Sequence, residues 1–477
     1  MAAISSSARV DSLSPIGSLP PEIAEKVCTE LETPDITSLR RVSKFWMTVA
    51  TPWFLPRVHL IFKPDSFRRL VDISKHRVIR HNVTSLFYEA DALRTYQSRK
   101  EWEADLHETI PSPLRDDPAI LPPGATERER RAHGRDLAKR ANPPKHTEQY
   151  LRQAYAEYER LYNEQNDLRL ENYGAAVIAD AMSRFPKLSN IRMSLGHGLA
   201  PPSDYSLRTY APTLQEAYGD DYHDVPSGVA QMQSLLLGAD LAQLQLTHLE
   251  IGEVDWKFLW EPADTLKSMK KSLKCLRSLA LKMSLGTVDC EEGIEQEIPE
   301  CREYLENYQL YDFLIAAPGL EGLRVGFNYY DPYGPSELKY IAGSFTWSSL
   351  RNVTFEYFDT TEEDWVAFFV RHSPTLRKVA IDTITLLSGS WVVVLERMSE
   401  VLNLESAYFR GCLISDDPRQ QWYLDGWLRS PTPAIRDQGK RTRKALREFL
   451  VSGGICPLRD EEAHPQAPYS STRGDYY

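Results

Sequence analysis

The chain has 477 residues, 42% of them hydrophobic and 26% charged, ordinary values for a globular protein long enough to build two or more domains. A net charge of −11 argues against general binding to nucleic acid or to an anionic membrane, because phosphate contacts demand a basic surface. Six widely spaced cysteines without a C-x-x-C pair point to reduced thiols, the opening residues lack the apolar core of a secretory signal, and no apolar run approaches the ~18 residues of a membrane span.

Residues 1–15 are small and polar and read as a disordered lead. The stretch 16–56 then holds short amphipathic helices with their stops written in. Pro20 and Pro21 fix φ, and Pro21 suits a first helical position, where its missing N–H costs nothing. Glu22 follows in the first turn, favourable against the positive helix end, and Ile23, Val27 and Leu31 recur every four residues on one face. Thr33 and Pro34 halt that helix, and Asp35 is a natural cap for the next. Ile36, Leu39, Val42 and Trp46 form a second apolar stripe, opposite Arg40, Arg41 and Lys44, and Thr51-Pro52 closes the unit. So small a unit displays more apolar surface than its own helices can cover, so it is expected to dock on something.

Leu19-Pro20, the Glu22-Ile23 pair, the apolar helix ending at Leu31, then Asp35, Leu39 and the run Val42-Ser43-Lys44-Phe45-Trp46 resemble an F-box. One departure is Ser43, where a cysteine is common in that family. The continuation over 51–76 is similar to F-box proteins of filamentous fungi. The resemblance implies binding to the Skp adaptor of cullin–RING ubiquitin ligases. It carries adaptor contact onto Leu19, Pro20, Ile23, Val27, Leu31, Leu39, Val42 and Trp46, which share that work with helix packing in proportions that the sequence leaves open.

Beyond the unit, 57–62 reads as a strand, 66–76 as a short helix and 83–90 as a second strand. Residues 91–146 are rich in charge and proline and read as an insertion, partly helical and partly disordered. A helix is predicted at 147–169, where Leu151, Tyr155, Tyr158 and Tyr162 keep helical spacing and read as a packing face. From 186 onward a pattern apolar-x-x-apolar-x-apolar returns. It appears as Leu188/Ile191/Met193, Leu246/Leu249/Ile251, Leu276/Leu279/Leu281 and Leu320/Leu323/Val325, then as Leu350/Val353/Phe355, Leu376/Val379/Ile381 and Leu404/Ala407/Phe409, with Val83/Leu86/Tyr88 as an earlier copy. The last four start at 320, 350, 376 and 404, with helices predicted between them at 361–374 and 389–403. Such spacing resembles degenerate leucine-rich repeats, in which a short strand and a helix alternate along a solenoid. A mixed α/β domain without true repeats is the alternative. Two stretches interrupt the array: 197–238, loop-like and aromatic, and 286–303, acidic. Both are expected as surface loops. A basic helix at 437–451 precedes a polar tail.

The expected fold class is therefore α/β, a small N-terminal helical F-box followed by an irregular leucine-rich-repeat-like solenoid. Its parts are a disordered lead (1–15), the F-box (16–56), the start of the solenoid (57–90), the charged insertion (91–146), the leucine-rich-repeat-like region (147–452) and a disordered tail (453–477). Nothing in the sequence resembles an active site: no phosphate-binding loop, nucleophile elbow or H-E-x-x-H occurs, and the eleven histidines are scattered. No cofactor or metal is expected, since neither Cys290 nor Cys301 has a C-x-x-C neighbour. The expected function is a non-catalytic receptor of a Skp–cullin–F-box ubiquitin ligase, its partners the Skp-type adaptor, through it the cullin, and a protein substrate, but neither nucleic acid nor membrane. A leucine-rich-like binding scaffold with no role in ubiquitination, its helical unit capping the solenoid, is the second reading. Localisation is expected to be cytoplasmic, nuclear or both, the basic stretches at 127–140 and 436–447 being diluted.

Overall fold

The repeated apolar triplets become strands of one sheet. A computed structural model describes residues 19–93, 95–96, 98–108, 147–170, 173–195, 228–284, 291–328, 336–415, 417, 421–424 and 433–459. The lead (1–15), most of the charged insertion (109–146), most of the aromatic loop (196–227), Cys290 and most of the tail (460–477) lie outside the described residues. Among the described residues no helix is long and apolar enough to cross a membrane.

Three short helices open the chain: α1 (Pro21–Thr29), α2 (Thr33–Leu39) and α3 (Lys44–Ala50). The rest is a mixed α/β structure on an open ten-stranded sheet ordered β1 to β10 as in the sequence. Its strands are β1 (Arg57–Ile61), β2 (Ser85–Glu89), β3 (Asn190–Ser194), β4 (His248–Asp255), β5 (Ser278–Ser284), β6 (Gly322–Asn328), β7 (Asn352–Thr361), β8 (Lys378–Ser388), β9 (Ser406–Ser415) and β10 (Trp422–Tyr423). Each of β1 to β9 is parallel to its neighbour, and β10 alone is antiparallel, on Leu413 and Cys412 of β9. The triplets set the register. Leu86, Ile191, Leu249, Leu279, Leu323, Val353, Val379 and Ala407 face one another across the sheet in a single row, and every one is buried. A second row two residues on runs from Tyr88 through Met193, Ile251, Leu281, Val325 and Phe355 to Ile381 and Phe409. With a side-chain period of two, both rows point to the same face and one continuous core forms beneath them.

Helices close that core from the other side. They are α4 (Pro64–Lys75), α7 (Tyr173–Met182), α8 (Val229–Leu241), α9 (Ala263–Ser272), α10 (Glu291–Glu306), α11 (Gln309–Leu314), α12 (Leu338–Ala342), α13 (Glu362–His372), α14 (Trp391–Val401) and α15 (Pro433–Ser452). The loop at 197–238 is corrected in its last part, where α8 buries Met232, Leu235, Leu236 and Ala239. The acidic stretch 286–303 is likewise no plain surface loop, because α10 covers it from Glu291 and buries Cys301. The tail also begins later than expected: Cys456 and Leu458 are buried in the main core.

The insertion between β2 and α7 carries its own small core. Here α5 (Arg99–Glu108) brings Trp102 against Leu151, Tyr158 and Leu161 of α6 (Glu148–Leu170), with Tyr155 and Tyr162 packed at its rim. The tyrosine stripe is thus a packing face. Gln165 pins the helix to the sheet: its Oε1 accepts the Leu93 N–H (2.8 Å), and its Nε2 donates to the Phe62 carbonyl (2.9 Å).

Candidate functional site

The N-terminal helices owe their shape to their caps and to two small residues. Pro21 opens α1, and the helix turns Ala24 and Cys28 inward, which lets the other two helices approach closely. These two join Ile36, Trp46 and Ala50 in a core of their own, ringed by Leu19, Leu31, Leu39, Phe45, Val49 and Phe54. Ser43 Oγ accepts the Trp46 N–H (3.2 Å) and so caps α3. The Arg40 guanidinium lies 4.0 Å from the Phe54 ring centroid, and its Nε donates to Thr51 Oγ1 (3.1 Å). Burial, with Glu25 nearby, pushes the Cys28 thiol above its ordinary pKa, so it behaves as a small apolar filler rather than a reactive thiolate.

This geometry sorts the predicted adaptor residues. Trp46 is 1% exposed and belongs to the packing, while Leu19, Leu31 and Leu39 are half-buried at its rim. Pro20 is exposed, and Ile23, Val27 and Val42 stand 48%, 38% and 66% exposed. The stripe Ile23, Val27, Leu31 is therefore not the buried face of α1; that face is rotated by one residue, onto Ala24 and Cys28. The stripe Ile36, Leu39, Val42, Trp46 is no single helix face either. The Ser43 cap divides it, and Val42 falls between α2 and α3, pointing to solvent. Met47 and Trp53, also exposed and apolar, were missed by sequence reasoning. The Ser-x-x-Trp spacing of a capped helix start at 43–46 is the signal that places Met47 on the outer face.

The second candidate surface is the face of the sheet away from the core. Its middle row runs His59, Phe87, Arg192, Glu250, Ala280, Arg324, Thr354, Ala380 and Tyr408. Polar contacts link its strands: His59 Nε2 lies 3.2 Å from Glu89, and ion pairs join Arg192 Nε to Glu250 (2.5 Å), Lys282 Nζ to Glu253 (3.5 Å), Arg324 Nε to Glu356 (2.6 Å) and Arg410 Nε to Asp382 (3.6 Å). Arg324 sits at their centre. Burial works against its charge, but Glu356, Glu250 and Asp382 outweigh this and raise its pKa. The paired charges make this face of the sheet polar.

A family model of the F-box domain matches residues 16–52, the segment that contains all three opening helices. No curated protein matches the chain. F-box domains in general mark adaptor-binding, non-catalytic receptors of Skp–cullin–F-box-type ubiquitin ligases. Residues 16–52 are such a domain, and the chain carries an F-box at the head of its sheet.

Proposed function

We propose that this chain is the substrate-recognition subunit of a Skp–cullin–F-box ubiquitin ligase. Ile23, Val27 and Val42 would form the centre of adaptor contact, with Pro20 and the outer edges of Leu19, Leu31 and Leu39 around them, while Trp46 holds the helices together from within. The sheet and its helices are read as a leucine-rich-repeat-like solenoid that presents a protein substrate on its polar face. The mechanism is proximity: the receptor raises the local concentration of target lysines near the ubiquitin-loaded enzyme and makes no bond itself.

The carrying observation is that the opening helices bury their own core and still display Ile23, Val27 and Val42 to solvent. A domain that merely capped the solenoid would turn those side chains onto the sheet. The test is co-expression with a Skp adaptor and size-exclusion chromatography, comparing wild type with the pair Ile23→Asp and Val42→Asp. These positions are exposed, so the pair leaves folding intact and loses the complex, an apolar contact being replaced by two unpaired charges. A complex that survives both changes sinks the assignment of this face. No complex from well-folded wild type leaves a scaffold without a role in ubiquitination as the better reading.

A further inference from the structure

We propose that the cleft between the outer edge of β9 and the C-terminal helix α15 is a docking site for an extended acidic peptide. It lies at the opposite end of the sheet from the F-box and does not depend on the adaptor reading. The cleft, of about 290 Å³, is walled by Ala407, Tyr408 and Phe409 on the strand and by Lys440, Arg443, Lys444 and Arg447 on the helix. Those four cations stand at i, i+3, i+4 and i+7 and so share one helix face. The flanking face of the same helix carries Leu446, Phe449 and Leu450 into the main core, which seats the cations beside the strand edge.

Three observations define the occupant. The first is charge: the helix holds six Lys or Arg against two Asp or Glu, in a chain whose net charge is −11. Its internal compensation is weak, with Lys440 Nζ 3.7 Å from Asp437 and Lys444 Nζ 3.9 Å from Glu448, both exposed pairs. Among the described residues Arg443 and Arg447 have no ion-pair partner. The second is the strand edge. The antiparallel partner β10 reaches only Leu413 and Cys412, so among the described residues those of β9 before Gly411 meet no strand on that side. An unpaired edge offers backbone donors and acceptors to an incoming extended chain, and side chains of that chain would alternate between the helix cations and solvent. The third is Tyr408, 53% exposed on the cleft wall, a rigid surface against which an apolar side chain packs. A volume at the lower end of the usual ~300–1,000 Å³ for ligand sites suits a few residues of peptide. A long nucleic acid fits less well, because it gains nothing from the strand edge and meets the net negative charge of the remaining surface.

The test uses the full-length protein and a short fluorescein-labelled peptide alternating Glu and Val, read by fluorescence anisotropy. Controls are the Lys–Val counterpart, the Glu–Val peptide N-methylated at alternate residues, and a single-stranded oligothymidine of equal charge. We expect the Glu–Val peptide to bind, the N-methylated form to bind more weakly, and Arg443→Glu with Arg447→Glu to weaken it by roughly tenfold or more. Because Arg443 is half-buried, the exposed Arg447→Glu alone is the second variant, and it should weaken binding without shifting the thermal midpoint. The proposal is overturned if the folded protein ignores the Glu–Val peptide, if the Lys–Val peptide binds equally well, if oligothymidine binds more tightly, or if charge reversal changes nothing.

Discussion

His372 is held neutral by its burial, and two hydrogen bonds orient its ring. The Trp347 N–H donates to its Nε2 (3.2 Å), while its Nδ1–H donates to the Phe368 carbonyl (2.9 Å), an arrangement that fixes one tautomer. The ring is buried, and burial, helped by the nearby Arg371, holds its pKa below the ordinary 6.5. The sign of the linkage follows. Above pH 6.5 neither state binds the proton; as pH falls through that value the unfolded chain binds it and the folded chain resists, so stability is lost on the acid side. Each tenfold difference in proton affinity between the two states is worth about 1.4 kcal/mol. Urea unfolding of wild type and His372→Gln between about pH 7.5 and 5 should show a steeper loss in wild type, and parallel curves would refute this. The same scale explains what the sequence concealed in the F-box. Spacing of four marks Ile23 and Val27 as one face, but it does not say that Ala24 and Cys28 are small enough to be the side on which helices meet.

At the scale of elements the sheet was legible and some of its helices were not. A strand announces itself by a period of two, and the triplets around Leu249, Leu279, Val353 and Val379 fell into one register because each also carries an apolar residue before its turn. The helix Val229–Leu241 is apolar nearly all round and contains Gly238, so it shows no stripe to distinguish it from the loop before it. In Glu291–Glu306 an acidic run and the internal Pro299 mask the buried positions Cys301 and Leu305. The strands carry one further device, invisible to pattern reading. After their second core residue β4, β7, β8 and β9 turn through the left-handed region at Glu253 (φ 56°), Tyr357 (φ 60°), Thr383 (φ 51°) and Gly411 (φ 64°). Only the last is glycine. A Cβ there would overlap Thr383 Oγ1 and Asp382 Oδ1, and the Gly411 carbonyl accepts the Leu424 N–H (2.9 Å) that seats β10. Gly411→Val should therefore cost about 1–3 kcal/mol or more, measured by urea unfolding, and a cost below about 0.5 kcal/mol would show that the backbone at this turn can relax.

The whole molecule has an uneven division of stability. One core runs from Val58 to Leu458, whereas the F-box rests on a separate small core of Ala24, Cys28, Ile36, Trp46 and Ala50 and the half-buried residues that ring it. A unit of roughly 40 residues has little stability to spare, and truncating a buried tryptophan typically costs about 3–5 kcal/mol. Trp46→Ala should therefore unfold the F-box while the sheet stands, because none of the residues lost from that small core belongs to the large one. Hydrogen exchange read by mass spectrometry gives the expected pattern: protection disappears over 19–50 and is retained from β2 onwards, and adaptor binding is lost with it. Phe355→Ala, at the middle of the sheet, should do the reverse in part, lowering the main thermal transition, since each strand rests on its immediate neighbours and a central gap is shared by both. Loss of protection that spreads from Trp46→Ala into β3 and β4 would show instead that the helical unit and the sheet fold as one, and would return the opening helices to the role of a cap.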